Sequence, residues 1–146
     1  MRNLFLWLAA VATFLVPAAA SSQSMAACRA KPELLKIGST LPVARKAMAE
    51  HKHLRIIALG SSSTVGYGAS NPAYAYPMQL RIGLEKALPG IEIEVINRGI
   101  GGQDVAEMAA RMRFEMMSHP PSLVIWQTGT NAAMRHMPLD LFERRL

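Results

Sequence analysis

The amino-acid sequence predicts an α/β protein in which a parallel β-sheet is covered by helices. Apolar runs of strand length alternate with longer segments that repeat apolar residues at helical spacing. Short loops separate them, a combination that is typical of parallel strands joined by right-handed helical crossovers. Each of the three strand-like runs leads into a loop rich in Gly, Ser, Thr and Asn.

The strongest strand signal is the apolar run over residues 54–59, which has two central isoleucines and ends at Gly60. Met108, Met112 and Met116 recur every four residues, which is typical of a helix face packed in a core rather than of a cofactor contact. In chain order, the predicted elements are a helix over 41–51, a strand over 54–59, a helix over 76–88, a strand over 91–96, a helix over 103–117, a strand over 122–127 and a helix from residue 139.

The first twenty residues have the pattern of a secretory signal peptide. A short basic start precedes an apolar core over residues 4–16, and small residues follow Pro17. This core is too short to span a membrane. The sequence therefore predicts a signal peptide over 1–20, a leader segment with one helix over 21–53 and a main domain over 54–146. We expect an exported protein, periplasmic or secreted, without a stable membrane span after cleavage.

The distribution of charge argues against a nucleic-acid partner. Arg2 is the only charged residue of the predicted signal peptide, so the 16 Lys and Arg of the chain become 15 against 10 Asp and Glu. These positive charges are scattered and aromatic residues make up 6% of the chain, whereas nucleic-acid surfaces combine a basic stripe with interleaved aromatics. We expect the arginines of the C-terminal part to lie on solvated faces and turns, namely Arg111, Arg113, Arg135, Arg144 and Arg145.

Neither a metal nor a nucleotide cofactor is predicted. The four histidines have no metal-ligand spacing with one another or with Cys28, the single cysteine, whose role stays open. The glycines of residues 99–102 resemble part of a dinucleotide-binding loop, but Asp104 stands where that fingerprint needs its third glycine. Aspartate at this position suits the N-cap of the following helix.

Ser62 stands in the middle of a serine triplet that follows the first strand. A serine at the carboxyl end of a buried strand, where a helix begins, is held on the rigid base that a nucleophile needs. The triplet also suits a plain helix N-cap. Two further loops, over residues 97–102 and 128–131, belong to the ends of the next two strands. Parallel strands bring all three loops to one edge of the sheet, where ligands bind in such folds.

These three loops resemble the first three sequence blocks of the SGNH hydrolases, the GDSL esterase and lipase family. The family's Gly-Asp-Ser-x-Thr corresponds to residues 60–64, with Ser61 in place of Asp. The second block corresponds to the Asn-led loop that ends at Gly102, and Gly-x-Asn-Asp corresponds to residues 129–132, with Ala132 in place of Asp. The resemblance covers about residues 54–132. It implies a three-layer α/β/α sandwich with a flavodoxin-like parallel sheet, the SGNH hydrolase fold.

The same resemblance implies a serine hydrolase that cleaves ester bonds through an acyl-enzyme on Ser62. The backbone N–H groups of Ser62 and Gly102 and the side-chain amide of Asn131 would form the oxyanion hole. We expect Gly102 to be glycine because a Cβ would keep the backbone away from the oxyanion. The implied substrates are small-molecule, lipid or acetylated-sugar esters, and no cofactor is implied.

The general base of this family is a histidine in an Asp-x-x-His block near the C-terminal end of the domain. The sequence reaches Leu146 without such a block, and neither His119 nor His136 matches it. We therefore expect an incomplete, apparently C-terminally truncated SGNH hydrolase-type domain that is inactive by itself. The alternatives are a non-catalytic binding remnant or truncated pseudo-enzyme of the same fold, and an interaction protein without a site.

Overall fold

The structure, a computed structural model, describes residues 31, 33, 36 and 38–146. The predicted signal peptide lies outside the described residues. Gly38–Leu146 form one compact unit. Its helices and strands are α1 Pro42–His51, β1 His53–Gly60, α2 Ser62–Val65, α3 Tyr76–Ala87, β2 Glu92–Gly99, α4 Val105–Ser118, β3 Leu123–Trp126, α5 Thr130–Met134 and α6 Leu139–Glu143, with a 3-10 turn at Pro72–Tyr74.

The three strands form one parallel sheet in the order β2-β1-β3. Strand β1 lies in the centre and pairs with β2 along its whole length, from His53 opposite Glu92 to Gly60 opposite Gly99. Strand β3 pairs only with the second half of β1. The parallel sheet and the α/β class predicted from the alternation of patterns are confirmed.

Helices cover both faces of the sheet because β1 is apolar on both sides. On one face, Leu54 and Ile56 pack with apolar residues of α1 and α3. On the other face, Ile57 and Leu59 pack with Met108 of α4. Each of these β1 side chains is at most 4% exposed, and burial of one such side chain stabilises the fold by about 1.5–3 kcal/mol. Sheet and helices thus form three layers.

Helix α1 belongs to this compact unit although the sequence assigns residues 21–53 to a leader segment. Ala44 of α1 is 4% exposed and lies in the same core cluster as Leu54 and Ile56. None of the described helices is long and apolar enough to cross a membrane.

The predicted elements agree with the observed ones except at their ends. Strand β2 extends to Gly99, so that Asn97 and Arg98 lie in the strand rather than in the loop where the sequence placed them. Pairing with β1 as far as Gly60 extends β2 over these polar residues. A helix start was expected at the serine triplet, but the extents of the short helices α2 and α5 were not predicted, because four or five residues are too few to show a helical period.

Candidate active site

Ser62 is the first residue of α2, one residue beyond the buried serine that links this helix to β1. Ser61 is 2% exposed, Ser62 is half-buried and Ser63 is exposed. The Ser61 carbonyl accepts hydrogen bonds from the Thr64 and Val65 N–H groups, at 3.1 and 3.0 Å, which closes the turn around Ser62. The middle serine of the triplet therefore lies at the junction between the central strand and a helix.

The second strand end is fastened directly to this turn. Asn97 Nδ2 donates to the Thr64 carbonyl at 2.8 Å, and Asn97 Oδ1 accepts from the Gly99 N–H at 2.9 Å. Helix α2 lies so close to β2 that a Cβ on Gly99 would collide with the Val65 backbone nitrogen. Glycine at this position is thus required for the close approach of the two segments.

Gly102 lies in the loop after β2 with φ +82°, a left-handed conformation that favours glycine. A Cβ built on Gly102 would meet nothing within 4 Å. The expected close approach of the Gly102 backbone to an oxyanion stays a prediction. The positive φ is the requirement, and the space beside Gly102 is open.

Asn131 of α5 joins the third strand end to the second. Its Nδ2 donates to the Gln103 carbonyl at 2.7 Å, one residue after Gly102. A side-chain amide carries two hydrogens, so this bond fixes the group and leaves one hydrogen for another acceptor. The structure thus brings two of the three predicted site residues, Gly102 and Asn131, to adjacent positions.

Two backbone donors of the predicted oxyanion hole have no partner in the part of the chain that the structure describes. Neither the Ser62 nitrogen nor the Gly102 nitrogen donates a hydrogen bond to any residue that the structure describes. For Ser62 the reason is its place in the first turn of a helix, where N–H groups have no intrahelical acceptor. Among the described residues, these two N–H groups are therefore unpaired near the carboxyl edge of the sheet, where a parallel α/β fold binds its ligand.

Thr64, the last residue of the segment over 60–64 that is predicted to carry the nucleophile, is fully buried and connects three elements. Its Oγ1 lies 3.2 Å from Gln127 Oε1 and 3.5 Å from the Tyr76 hydroxyl. These contacts link α2 to the end of β3 and to the start of α3. The threonine of the motif thus stabilises the position of the serine helix.

Arg111 corrects a prediction, because it does not lie on a solvated face. Its side chain is 15% exposed, and its Nη2 donates to the Arg98 carbonyl at 2.8 Å and to the Gly60 carbonyl at 3.3 Å. Its Nε donates to Gln103 Oε1 at 2.7 Å. The missed signal is Glu115, which lies one helical turn later, pairs with Arg111 at 3.2 Å and is itself 14% exposed.

Asp104 caps α4, as predicted from its position after the glycines. Its Oδ1 accepts from the Ala106 and Glu107 N–H groups, and Glu107 Oε2 accepts from the Asp104 N–H, which completes a capping box. The hydrogen bond from the Glu107 backbone is the largest cause that holds the pKa of Asp104 below its ordinary 3.8, against the opposing effect of burial. The bond from Ala106 and the charge of Arg135 lower the same pKa further.

All four histidines lie among the described residues, and none hydrogen-bonds Ser62. His53 begins β1, at the opposite end of the strand and about 23 Å from Gly60 at 3.3 Å per residue. His119 lies 3.2 Å from the Arg98 guanidinium, and His136 is exposed after α5. Within the same described residues, no group of three His, Cys, Asp or Glu could hold a metal ion.

The chain has a parallel sheet between helices. Loops that carry serine, glycine and asparagine lie at the carboxyl edge of this sheet. This combination is typical of an SGNH-type α/β protein. The sequence profile of the non-GDSL lipase-like family matches residues 27–146. The chain belongs to this family. No curated protein matches the chain significantly.

Solved structures of esterases are similar to the chain. They include AlinE4, an SGNH-hydrolase family esterase, with 29% identity and a TM-score of 0.58 over 64% of this chain and 49% of that one. A two-domain esterase, CEX, active on acetylated mannans, has 31% identity and a TM-score of 0.55 over 62% and 25%. A protein from Desulfitobacterium hafniense described as lipolytic and of the G-D-S-L family has 26% identity and a TM-score of 0.54 over 63% and 48%. The chain spans about half the length of AlinE4.

Proposed function

We propose that the protein containing this chain is a serine hydrolase that cleaves ester bonds through an acyl-enzyme on Ser62. The observation that carries this proposal is the set of donors at the strand ends. The Ser62 and Gly102 N–H groups are unpaired among the described residues, and the Asn131 amide, bound to the Gln103 carbonyl next to Gly102, has one hydrogen left. Similarity to esterases of the SGNH family supports the reaction class.

The chemistry requires donors that are in place before the reaction. Attack of the Ser62 hydroxyl on an ester carbonyl turns the carbonyl oxygen into an oxyanion, which the Ser62, Gly102 and Asn131 donors stabilise. Collapse of this tetrahedral intermediate releases the alcohol and leaves the acyl group on Ser62, and water then releases the acid. Preorganised donors lower the barrier because they need no reorientation as charge develops.

The proposal needs a general base to accept the Ser62 proton, because a serine hydroxyl without one is a weak nucleophile. None of the four histidines hydrogen-bonds Ser62. We assign the base to a histidine of an Asp-x-x-His block in the whole protein. Reading the gene beyond the codon for Leu146 for this block is the quickest test. The chain of 146 residues without it would turn over esters several orders of magnitude more slowly.

The substrate that we propose is a small-molecule, lipid or acetylated-sugar ester. Among these, the acetylated sugar is favoured by CEX, the similar two-domain esterase that is active on acetylated mannans. The proposed chemistry needs no cofactor.

The test of function is labelling of the complete gene product by a fluorophosphonate probe. We expect Ser62→Ala to abolish labelling. Ser63→Ala is the matched control, because it removes a neighbouring hydroxyl that is exposed and should leave labelling measurable. Ser61→Ala should also retain labelling, since that residue is buried at the end of β1. Loss of labelling in Ser63→Ala but not in Ser62→Ala would move the nucleophile by one residue.

The second candidate is a non-catalytic binding protein of the same fold, and the observation in its favour is the absence of a histidine contact to Ser62 among the described residues. Such a protein would bind an ester or acetylated oligosaccharide in a calorimetric titration but show no Ser62 labelling. Labelling that depends on Ser62 excludes it.

We further propose that the protein is exported, with cleavage after Ala20. The support is the basic start, apolar core and small residues of positions 1–20. Intact-mass measurement of protein from the periplasm or medium should give a mature N-terminus at or near Ser21. Exported protein that still carries Met1 contradicts this proposal.

A further inference from the structure

Two side chains of one helical turn hold consecutive carbonyl groups of the loop that carries Gly102. Asn131 Nδ2 donates to the Gln103 carbonyl at 2.7 Å, and Arg135 Nη2 donates to the Gly102 carbonyl at 2.7 Å. The two residues are four positions apart, so they lie on the same side of the turn formed by α5. Arg135 thus connects the end of the third block to the glycine of the second block.

The same guanidinium also reaches the start of α4. Arg135 Nη1 lies 2.9 Å from Asp104 Oδ2 and 3.5 Å from Glu107 Oε2, the two side chains of the capping box. A planar guanidinium with several donors can bind a carbonyl and a carboxylate together, which an ammonium group does poorly. The Gly102 carbonyl is therefore fixed relative to a helix end.

The exposure of these contacts indicates that Arg135 orients the loop around Gly102 more than it contributes to the free energy of folding. The Arg135 side chain is 51% exposed, and ion pairs of exposed side chains contribute little to folding. Gly102, in contrast, has no Cβ, follows another glycine and has no atom within 4 Å of where a Cβ would lie. The open space on this side of Gly102 leaves its backbone room to move, so hydrogen bonds to the loop contribute to its orientation.

We infer that Arg135 is a positioning residue for the oxyanion hole: by holding the Gly102 carbonyl, it fixes the direction of the Gly102 N–H. Rotation about the N–Cα bond of Gly102 would carry the carbonyl away from Arg135, so the bond restricts this rotation. The inference rests on the proposed function, because the fixed N–H matters to the reaction only if it receives the oxyanion.

The kinetic test compares Arg135→Ala, Arg135→Lys and the control Arg144→Ala in the complete gene product. Arg144 pairs with Asp140 at 2.8 Å and is 63% exposed, so its removal deletes a similar surface ion pair on α6. For p-nitrophenyl acetate, we expect Arg135→Ala to lower kcat about ten- to a hundredfold with KM changed less than about twofold, because the donor acts on the transition state. Arg135→Lys should lie between this variant and the wild type, and Arg144→Ala should match the wild type.

A second measurement separates this inference from the proposed function. The order parameters of the Gly102 and Gln103 amides, from ¹⁵N relaxation, should be near 0.85 in the wild type and fall toward 0.6 in Arg135→Ala. A wild type without Ser62 labelling refutes the proposed function, and the order parameters then decide whether Arg135 holds the loop. Unchanged kcat and unchanged order parameters in Arg135→Ala overturn the inference. If this variant does not fold, the same criteria apply to Arg135→Lys.

Discussion

At the scale of single residues, the side-chain amide of Asn131 illustrates how one group can be both fixed and available. One hydrogen is used in the 2.7 Å bond to the Gln103 carbonyl, which sets the orientation of the amide plane. The other hydrogen is the proposed third donor to the oxyanion. An ionised aspartate could accept but not donate in this place.

Asn131→Ala should lower kcat of the complete gene product by about two to three orders of magnitude, as expected for loss of one oxyanion donor. Rates of p-nitrophenyl acetate hydrolysis would measure this effect. Gln79→Ala serves as control, because Gln79 Nε2 also donates to a backbone carbonyl, that of Ala73 at 2.8 Å, but on an exposed part of α3. Equal kcat values for the two variants would remove Asn131 from the proposed site.

At the scale of elements, α4 supports the Gly102 loop with residues from its N-terminus and its middle. Its N-terminus is held by the Asp104 capping box, and its middle sends Arg111 to the carbonyls of Gly60 and Arg98. The Arg111 contacts tie the ends of β1 and β2 to the helix that covers them. The loop between β2 and α4 is thus anchored by residues on either side of it.

Asp104→Ala should lower the free energy of unfolding by about 1 kcal/mol, whereas Asp104→Asn keeps an N-cap acceptor and should cost less. The pKa of Asp104 is lowered in the folded state, chiefly by the Glu107 N–H, so its charged form stabilises the fold above the ordinary pKa of 3.8. This stabilisation is lost as the pH falls through the lowered pKa. Urea unfolding from pH 6 to pH 2.5 should therefore show a steeper decline for the wild type than for Asp104→Asn. Parallel curves for these two proteins contradict the assignment.

At the scale of the whole molecule, the outer edge of β3 is open to pairing with another chain. Among the described residues this strand pairs only with β1, and its outer edge has no partner. The strand consists of Leu123, Val124, Ile125 and Trp126, all half-buried. An apolar strand with unpaired backbone groups and no charge is a template for association with another chain.

We expect residues 21–146, expressed alone, to self-associate at micromolar concentration, with light scattering that rises with concentration. Ser122→Lys should reduce this association, because a charge beside an apolar edge strand opposes pairing. Ser70→Lys is the control for added charge, since Ser70 is exposed in the loop after α2. A monomeric, cooperatively unfolding protein at these concentrations would show that the β3 edge is not a site of association.

The features that the sequence determined by itself are those set by neighbours along the chain. Helical and strand periods predicted the α/β order, and the Asp104 cap followed from its place before an apolar helix. The choice of Ser62 by its register with Gly60 and Thr64 stays a prediction. Only the tertiary structure decided which distant groups meet. Arg111 and Arg135 look like ordinary surface residues along the chain, yet they bind carbonyls 51 and 33 residues away. Likewise, β2 continues to Gly99 because β1 pairs with it there. Local sequence patterns reflect the conformational preferences of the backbone, so they predict helices and strands. A hydrogen bond between residues far apart in the chain depends instead on how the layers pack.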